Sequence, residues 1–255
     1  MKTWKSERQV LNIIRASLRD RQCVFLFRVI ELGARFIGIG AVSGGYQVIE
    51  VGEMNILDER VANRVEADLL KCNDYDVSIK VFDNVDGRLT VVRECLRPES
   101  ELLVIGAGHV GQALAWSAAI AGYRVVVVDD REEFLTPLRF FHPNIRTQLV
   151  GFGNLHRYTN LENYNAIAIV TRGHQYDELC LSQVVNCRVP YIGMIGSRKR
   201  IRAVFNRLVE KGVANWRQLE RVHAPIGLSI GAKSPQEIGV AVLAEVIQCL
   251  NLKGK

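Results

Sequence analysis

The stretch LLVIGAGHVG, residues 102–111, decides the fold of this 255-residue chain. An apolar segment runs directly into the spacing G-x-G-x-x-G, and helical residues follow as far as Ala121. In this fingerprint Gly106 permits a tight turn, Gly108 lets the backbone approach a phosphate, and Gly111 lets the helix pack closely on the strand. The stretch therefore predicts the first strand and first helix of a Rossmann-like domain.

After Glu101 the sequence alternates between short apolar segments and helical stretches. The strand candidates are Leu102–Ile105, Arg124–Val128, Thr147–Val150, Ala166–Val170 and Val189–Met194. Apolar runs that do not alternate with polar residues are typical of strands covered on both faces. The pattern predicts an α/β domain with a doubly wound parallel sheet and helices between the strands. Ser234, Pro235 and Glu237 mark the start of a last helix, which is apolar as far as Leu250.

The first 97 residues have a different pattern, typical of a smaller α+β domain. Strand-like segments occur at Cys23–Ile30, Arg35–Val42, Tyr46–Val51, Val77–Phe82 and Leu89–Cys95. Helices are predicted from Ser6, where Gln9 has the spacing of a capping-box partner, and over Asn55–Lys71. Arg97-Pro98-Glu99-Ser100 is typical of a linker. We expect domains at residues 1–97 and 98–255.

The composition excludes several classes of protein. With 48% hydrophobic and 24% charged residues, the chain has the composition of an ordinary globular protein. It contains no apolar run of about 18 residues, and the N-terminus lacks the apolar core of a secretory signal. We therefore expect a cytoplasmic protein without membrane association. The six cysteines form no C-x-x-C pair and no metal-ligand spacing stands out, so no metal site is predicted.

The net charge of +6 is concentrated in one segment. Eight basic and two acidic residues lie between Arg198 and Arg221, which leaves the rest of the chain neutral. A local cluster of this kind favours an anionic small ligand or one acidic partner surface over a long nucleic-acid track. The alternative for each of these residues is a solvated helix face. No nucleic-acid partner is predicted.

The candidate binding residues follow the ends of the predicted strands. Asp129 lies 23 residues after Gly106, near the position where an acid meets a ribose hydroxyl. Asp130 and Arg131 leave the choice between NAD and NADP open, because an acid favours a free ribose and an arginine accepts a 2′-phosphate. His109, inside the glycine motif, is expected to face the ligand or the helix N-terminus.

Two later loops should reach the same edge, because ligands of open parallel sheets bind outside the carboxyl ends of the strands. The first contains Thr171, His174 and Asp177, and the second contains Gly196, Ser197 and Arg198. His174 and Asp177 are candidates for an acid–base pair or for a pair that orients a ligand, although Asp177 is also placed to cap a helix. The second loop is suited to an anion.

Several of these segments together resemble the xanthine dehydrogenase accessory protein (XdhC/CoxI) family. The resemblance rests on VIGAGHVG at 104–111, VVDDR at 127–131, TRGHQYD at 171–177, YIGMIGSRKR at 191–200 and HAPIGLSIGAKSPQEI at 223–238. It implies a chaperone that binds molybdenum cofactor (molybdopterin), supports its sulfuration with a cysteine desulfurase, and delivers it to a molybdenum hydroxylase. It thereby favours an accessory protein over an enzyme. We also expect a homodimer, the commonest assembly.

The N-terminal domain departs from the family pattern. Where similar proteins carry a cysteine after a glycine pair, this sequence has Tyr46 in one alignment and Arg64 in another. Two other functions use the same glycine motif. One is an NAD(P)-dependent oxidoreductase with His174 as proton donor, and the other is a nucleotide-sensing interaction module without chemistry.

Overall fold

The structure, a computed structural model, describes residues 12, 14–18, 24–31, 34–42, 45–51, 78–84, 87–96 and 99–252. For the strands between residues 24 and 96, and for His174 and Leu252, it describes the backbone. The chain is divided into two compact units, Met1–Pro98 and Glu99–Lys255.

The first unit contains a five-stranded antiparallel sheet. Its strands are β1 (Val24–Glu31), β2 (Ala34–Val42), β3 (Gly45–Val51), β4 (Ser78–Asn84) and β5 (Gly87–Leu96). They lie in the order β3-β2-β1-β5-β4, with β1 paired to both β2 and β5. Residues 12 and 14–18 are helical. Ser6 and Gln9 of the predicted capping box, and the predicted helix Asn55–Lys71, lie outside the described residues.

The second unit is built on a six-stranded parallel sheet. Its strands are β6 (Glu101–Ile105), β7 (Arg124–Asp129), β8 (Ile145–Leu149), β9 (Ala166–Ile169), β10 (Tyr191–Met194) and β11 (Val222–His223). The order β11-β10-β9-β6-β7-β8 is that of a Rossmann fold, which confirms the predicted α/β class. The sequence analysis did not predict β11, because two residues are too few to give a strand pattern.

Six helices of this unit are described. They are α1 (His109–Ile120), α2 (Leu155–Tyr158), α3 (His174–Val184), α4 (Arg198–Glu210), α5 (Trp216–Leu219) and α6 (Pro235–Leu252). The prediction of a helical stretch between every pair of strands was wrong for β7 and β8. That connection contains a 3-10 helix at Glu132–Phe134 and turns. Pro137 and Pro143 explain the difference, because proline breaks helical hydrogen bonding.

The helices cover both faces of the sheet. On one face Leu103 and Ile105 of β6 pack in an apolar cluster with residues of α3 and α4. On the other face the alternate residues Leu102 and Val104 pack in a second cluster with residues of α1 and α6. Burial on both faces explains why the strands read as continuous apolar runs rather than alternating ones.

The last helix is fixed at its start and along its length. Ser234 and Glu237 form the predicted reciprocal cap, with the Glu237 backbone N–H donating to Ser234 Oγ at 3.2 Å and the Ser234 N–H to Glu237 Oε2 at 2.9 Å. A Cβ atom on Gly239 would lie 2.8 Å from the backbone nitrogen of Leu114 in α1. The backbones of α6 and α1 therefore touch at this glycine.

A polar contact also ties α6 to the sheet. Glu245 Oε2 accepts hydrogen bonds from the Tyr191 hydroxyl and from the backbone N–H of Gly227, both at 2.7 Å. His223 Nδ1 lies 3.2 Å from Glu245 Oε1. Burial raises the pKa of the Tyr191 phenol, and the hydrogen bond to Glu245 raises it further, so the phenol remains a proton donor. None of the described helices is long and apolar enough to cross a membrane.

Candidate functional site

The candidate residues of the second unit lie at one edge of the parallel sheet, outside the carboxyl ends of its strands. From β6 the chain winds through β7 to β8 in one direction, and from β9 through β10 to β11 in the other. The winding direction therefore changes between β6 and β9. Such a switch point leaves a crevice where open α/β sheets bind ligands.

The three glycines of the fingerprint have different surroundings. Gly106 has a φ of +114°, and a Cβ atom there would lie 2.6 Å from the Val170 carbonyl oxygen. A Cβ atom on Gly111 would lie 1.8 Å from the Gly106 carbonyl oxygen. A Cβ atom on Gly108 would meet no heavy atom within 4 Å. Gly106 and Gly111 are thus required for packing, whereas the space in front of Gly108 is open.

Helix α1 begins directly behind that open space. Gly108 is its N-cap residue, and no side chain caps the helix. The N–H groups of a first helical turn have no partner within the helix, and the helix dipole adds positive potential there. The start of α1 is therefore suited to an anion such as a phosphate group. His109 is exposed as the first residue of this helix.

Asp129, the last residue of β7, fixes the glycine loop through a hydrogen bond. Its carboxylate is buried, and Oδ2 accepts a hydrogen bond from the backbone N–H of Ala107 at 2.7 Å. Arg131 donates to Oδ1 through its backbone N–H at 3.1 Å and through Nε at 2.9 Å. Both carboxylate oxygens thus have protein donors. The contact of Asp129 with a ribose stays a prediction.

Asp130 has a different partner. Its carboxylate and the Arg172 guanidinium form a two-pronged ion pair, with Nη1 to Oδ1 at 2.5 Å and Nη2 to Oδ2 at 3.0 Å. Arg172 also donates to the Tyr176 hydroxyl at 2.8 Å and lies 4.2 Å from the centroid of that ring. The hydrogen bond from Arg172 lowers the pKa of Asp130, and the same bond raises the pKa of Arg172.

Arg139 also supports the glycine loop, from the connection between β7 and β8. Its Nη2 donates to the Ala107 carbonyl oxygen at 2.8 Å. Gln112 and Trp116 of α1 donate to the Arg139 carbonyl oxygen at 3.0 and 2.9 Å, which fixes this segment against the helix. Arg139 Nε is buried and has no hydrogen-bond partner among the described residues. Arg131 stacks on Phe134 in the same connection, 3.7 Å from the ring centroid.

Thr171 and Asp177 belong to a hydrogen-bonded group that connects the loop after β9 with α3 and α4. The Thr171 hydroxyl donates to Asp177 Oδ1 at 2.5 Å, and Arg200 Nη2 from α4 donates to Asp177 Oδ2. Asp177, in α3, is fully buried, and its ion pair with Arg200 links α3 to α4. The side chain of His174 lies outside the described residues. Its role with Asp177 as an acid–base or orienting pair stays a prediction.

The loop after β10 places its three predicted residues at the same edge. Gly196 has a φ of +155°, and the Ser197 hydroxyl caps α4 by accepting a hydrogen bond from the Arg200 backbone N–H at 3.3 Å. Arg198 is exposed at the first position of α4 and makes no ion pair with any residue the structure describes. Its guanidinium is therefore available to a ligand or partner.

The basic cluster divides into paired and unpaired cations. Arg207 Nε and Lys211 Nζ contact Glu178 at 2.5 and 2.6 Å, while Arg221 donates to backbone carbonyl oxygens. Burial raises the pKa of Glu178, but its hydrogen bonds to Lys211 and Arg207 outweigh this effect and lower it. Within this cluster, four exposed cations have no ion-pair partner among the described residues: Arg198, Lys199, Arg202 and Arg217.

Sequence reasoning missed Arg139 and Arg172 as site residues. Arg139 lies in a connection without a motif, and nothing in its sequence context indicates a contact with Ala107. Arg172 does lie in the segment TRGHQYD, directly after a predicted strand, so its position was a usable signal. No group of three or more metal-ligating side chains is found among the described residues.

A separate open depression of about 540 Å³ is lined by residues 156–162, Gln183 and Cys187. It contains none of the predicted site residues.

Comparisons with known proteins agree with the observed fold and the motifs. The family model of the XdhC Rossmann domain matches residues 102–246. The chain is 34% identical over 179 residues to the Escherichia coli (strain K12) protein named "Uncharacterized protein YqeB", a match covering 70% of this chain and 31% of that protein. It is 28% identical over 154 residues to a probable xanthine dehydrogenase subunit of Bacillus subtilis (strain 168), covering 60% of this chain and 44% of that protein.

A solved structure has a similar fold. The crystal structure of a xanthine dehydrogenase from Bacillus halodurans superposes with a TM-score of 0.65 at 21% identity. The match covers 96% of this chain and 65% of that chain. The matched regions amount to less than half the length of each of the two curated relatives.

Proposed function

Because the chain belongs to the XdhC Rossmann-domain family, we propose that it is a cytoplasmic accessory factor that binds molybdenum cofactor and delivers it to a molybdenum hydroxylase of the xanthine dehydrogenase class. The proposal rests on the family motifs at the rim of the sheet. The name of the Bacillus subtilis relative, a probable xanthine dehydrogenase subunit, is in keeping with it.

The observation that carries this proposal is the open space at Gly108 in front of the uncapped start of α1. Molybdopterin is an anionic ligand with a phosphate group, and a helix N-terminus with glycine backbone binds such groups. Arg172 lies near the glycine loop, because its Nη1 is 3.9 Å from Oδ1 of Asp129, the residue that accepts a hydrogen bond from Ala107 of that loop. Its positive charge would therefore attract a phosphate group bound at the loop. The residues present therefore fit the anionic part of the cofactor.

The residues of this chain bind and position the cofactor. Gly106 and Gly111 set the shape of the loop, and Asp129 and Arg139 fix it through hydrogen bonds to Ala107. Arg198, unpaired among the described residues, supplies a second positive contact at the same edge. The cofactor, when bound, supplies the redox chemistry of the client hydroxylase, and release at the rim requires no covalent step in this chain.

Sulfuration is assigned to a cysteine desulfurase partner. Thiolates rather than thiols are nucleophilic, and burial raises the pKa of Cys180 and Cys187. Tyr46 or Arg64 stands where similar proteins carry a cysteine. Our proposal is therefore that this chain holds the cofactor while the desulfurase provides the sulfur.

Docking to the client is assigned to the exposed cations Arg198, Lys199 and Arg202 of α4. They adjoin the rim through α4, so an acidic client surface would meet the protein beside the bound cofactor. We further propose that the protein acts as a homodimer.

The test is a titration of the purified full chain with released molybdopterin, NAD and NADP, followed by thermal shift and calorimetry. A ligand that binds only the folded state raises the melting temperature once its concentration exceeds Kd. We expect molybdopterin to raise it and Gly108→Ala to reduce that rise. Tight nicotinamide-nucleotide binding without any response to molybdopterin would contradict the proposal.

A second candidate function is an NAD(P)-dependent oxidoreductase. The observation in its favour is the Rossmann strand order together with an acid at the end of β7. In that case His174 would donate the proton and Arg131 would decide between NAD and NADP. The same titration separates the two functions. A nucleotide-sensing module would bind nucleotide without turnover.

A further inference from the structure

We propose that Arg172 is a phosphate-binding residue, and that the Asp130 carboxylate occupies its guanidinium until a phosphate ester or diphosphate displaces it. The proposal rests on the proposed function, because it concerns the same rim. It adds the residue that takes the phosphate and the internal group with which the ligand competes.

The geometry of the Asp130–Arg172 pair supports exchange with a phosphate. Two parallel N–H···O bonds, at 2.5 and 3.0 Å, join the guanidinium to both carboxylate oxygens. A phosphate group presents two oxygen acceptors to an arginine in the same way and carries more negative charge. The carboxylate thus occupies the positions that phosphate oxygens would take.

The pair spans the crevice at the switch point. Asp130 follows β7 and Arg172 follows β9, and these two strands are the neighbours of β6 in the sheet. The contact between them therefore crosses the exit of β6, where the glycine loop begins. A ligand whose phosphate reaches the start of α1 would lie beside this pair.

The two partners are fixed to different degrees. Arg172 is oriented independently of Asp130, by the Tyr176 hydroxyl at 2.8 Å and by the faces of Tyr176 and Phe152, at 4.2 and 5.9 Å from the ring centroids. Asp130 has a second cation at 3.8 Å, Arg131 Nε. When the pair opens, Arg172 therefore keeps its position, while the carboxylate of Asp130 retains a nearby positive charge.

The pair is also accessible to solvent. The side chains of Arg172 and Asp130 are 34% and 24% exposed, compared with 1% for Asp129. Ion pairs with this exposure contribute little net stability, so a ligand with a higher charge can replace the carboxylate. Asp129, whose carboxylate is buried and accepts hydrogen bonds from the backbone N–H groups of Ala107 and Arg131, is not replaceable in this way.

The experiment measures the affinity of the full chain for inorganic pyrophosphate and for ADP by calorimetry at fixed ionic strength. Asp130→Asn should tighten pyrophosphate binding several-fold, because a competing charge is removed and more of the protein has a free Arg172. Arg172→Lys should weaken binding about tenfold or more, because a charged two-pronged contact is lost. Glu178→Gln, which removes a carboxylate that pairs with Arg207 and Lys211 and not with Arg172, serves as the control and should leave Kd unchanged.

Several results would overturn the inference. They are an unchanged or weaker affinity in Asp130→Asn, an unchanged affinity in Arg172→Lys, or no measurable binding to either wild type or Asp130→Asn. Circular dichroism of each variant identifies a loss of fold, and the conservative change Arg172→Lys keeps the positive charge at this position. If molybdopterin binds equally to all variants, this inference fails and the proposed function remains. If pyrophosphate binding changes in the variants as expected but molybdopterin does not bind, the inference about Arg172 stands and the proposed function fails.

Discussion

Two arginine–aspartate pairs at the same rim have the same chemistry and different surroundings. In the first pair Arg200 contacts Asp177, whose side chain is 0% exposed and also accepts a hydrogen bond from Thr171. In the second pair Arg172 contacts Asp130, whose side chain is 24% exposed. The first joins the helices α3 and α4 within the protein, and the second is open to solvent, where a ligand can reach it. Burial rather than residue type therefore separates a structural carboxylate from an exchangeable one.

The same distinction extends to the rest of the rim. An inner layer consists of Gly106, Gly111, Asp129, Thr171 and Asp177, which are engaged with backbone or buried side chains. An outer layer consists of Gly108, Asp130, Arg172 and Arg198, which face open space or solvent. Substitutions in the inner layer should reduce stability, and substitutions in the outer layer should change binding. Four experiments test this division.

Gly111→Ala should have the largest effect on stability. The new Cβ atom would lie 1.8 Å from the Gly106 carbonyl oxygen, so strand and helix would have to separate. We expect a loss of more than about 3 kcal/mol in the free energy of unfolding, measured in urea. Gly108→Ala is the matched control in the outer layer, and its stability should change by less than about 1 kcal/mol. Equal losses of stability in Gly111→Ala and Gly108→Ala would contradict the division into an inner and an outer layer.

Asp177→Ala should cost about 3 kcal/mol in urea unfolding, because Arg200 would lose the carboxylate that neutralises it. The value is at the low end for a broken buried pair, since the Arg200 side chain is 30% exposed. Asp130→Ala, the equivalent change in the outer layer, should cost less than about 1 kcal/mol. A larger loss for Asp130→Ala than for Asp177→Ala would reverse our assignment of the two pairs.

Arg198→Ala should weaken binding of an anionic ligand by about 1.5 to 3 kcal/mol, if a charged hydrogen bond is lost. Its stability should be unchanged, because Arg198 makes no ion pair with any described residue. Calorimetry with pyrophosphate and urea unfolding of the same preparation measure both quantities. An unchanged Kd would exclude Arg198 from the site. Arg217→Ala, on α5, is the control for a general loss of positive charge.

The smallest expected effect concerns pH. The hydrogen bond from Arg172 holds the pKa of Asp130 below its ordinary value of 3.8. A carboxylate whose pKa is lowered by folding contributes stability above its unfolded pKa, and that stability is lost as pH falls through the folded pKa. Wild type should thus lose a measurable amount of stability, up to about 1 kcal/mol, relative to Asp130→Asn below about pH 4. Parallel urea titrations at pH 6 and pH 3 measure this, and identical pH dependence in both proteins would count against the pair.

Much of the second unit was predictable from local pattern. The glycine fingerprint fixes the first strand, turn and helix, because Gly106 and Gly111 each have a separate steric requirement. Buried apolar runs located β6, β7, β9 and β10, and Ser234 with Glu237 located the start of α6. The connection between β7 and β8 was misjudged, although Pro137 and Pro143 gave a local signal against a helix.

The contacts within the site were harder to predict, because they join residues far apart in the chain. Arg139 reaches Ala107 across 32 positions, and Arg200 reaches Asp177 across 23. Sequence placed Asp129, Asp130 and Asp177 at the rim but gave no information on which carboxylate is buried. That depends on tertiary packing, which single-residue patterns do not contain.

The contact between α6 and α1 at Gly239 has a consequence for synthesis on the ribosome. Helix α1 ends at Ile120, and α6 begins 115 residues later at Pro235. The helix that carries the glycine loop therefore emerges well before the helix that covers its outer flank, where Leu114 and Ala118 pack with Val242. Until translation has passed α6, that flank of the nascent chain is exposed to chaperones and to aggregation. The packing of α6 on α1 can thus form only after all the strands of the parallel sheet have been synthesised.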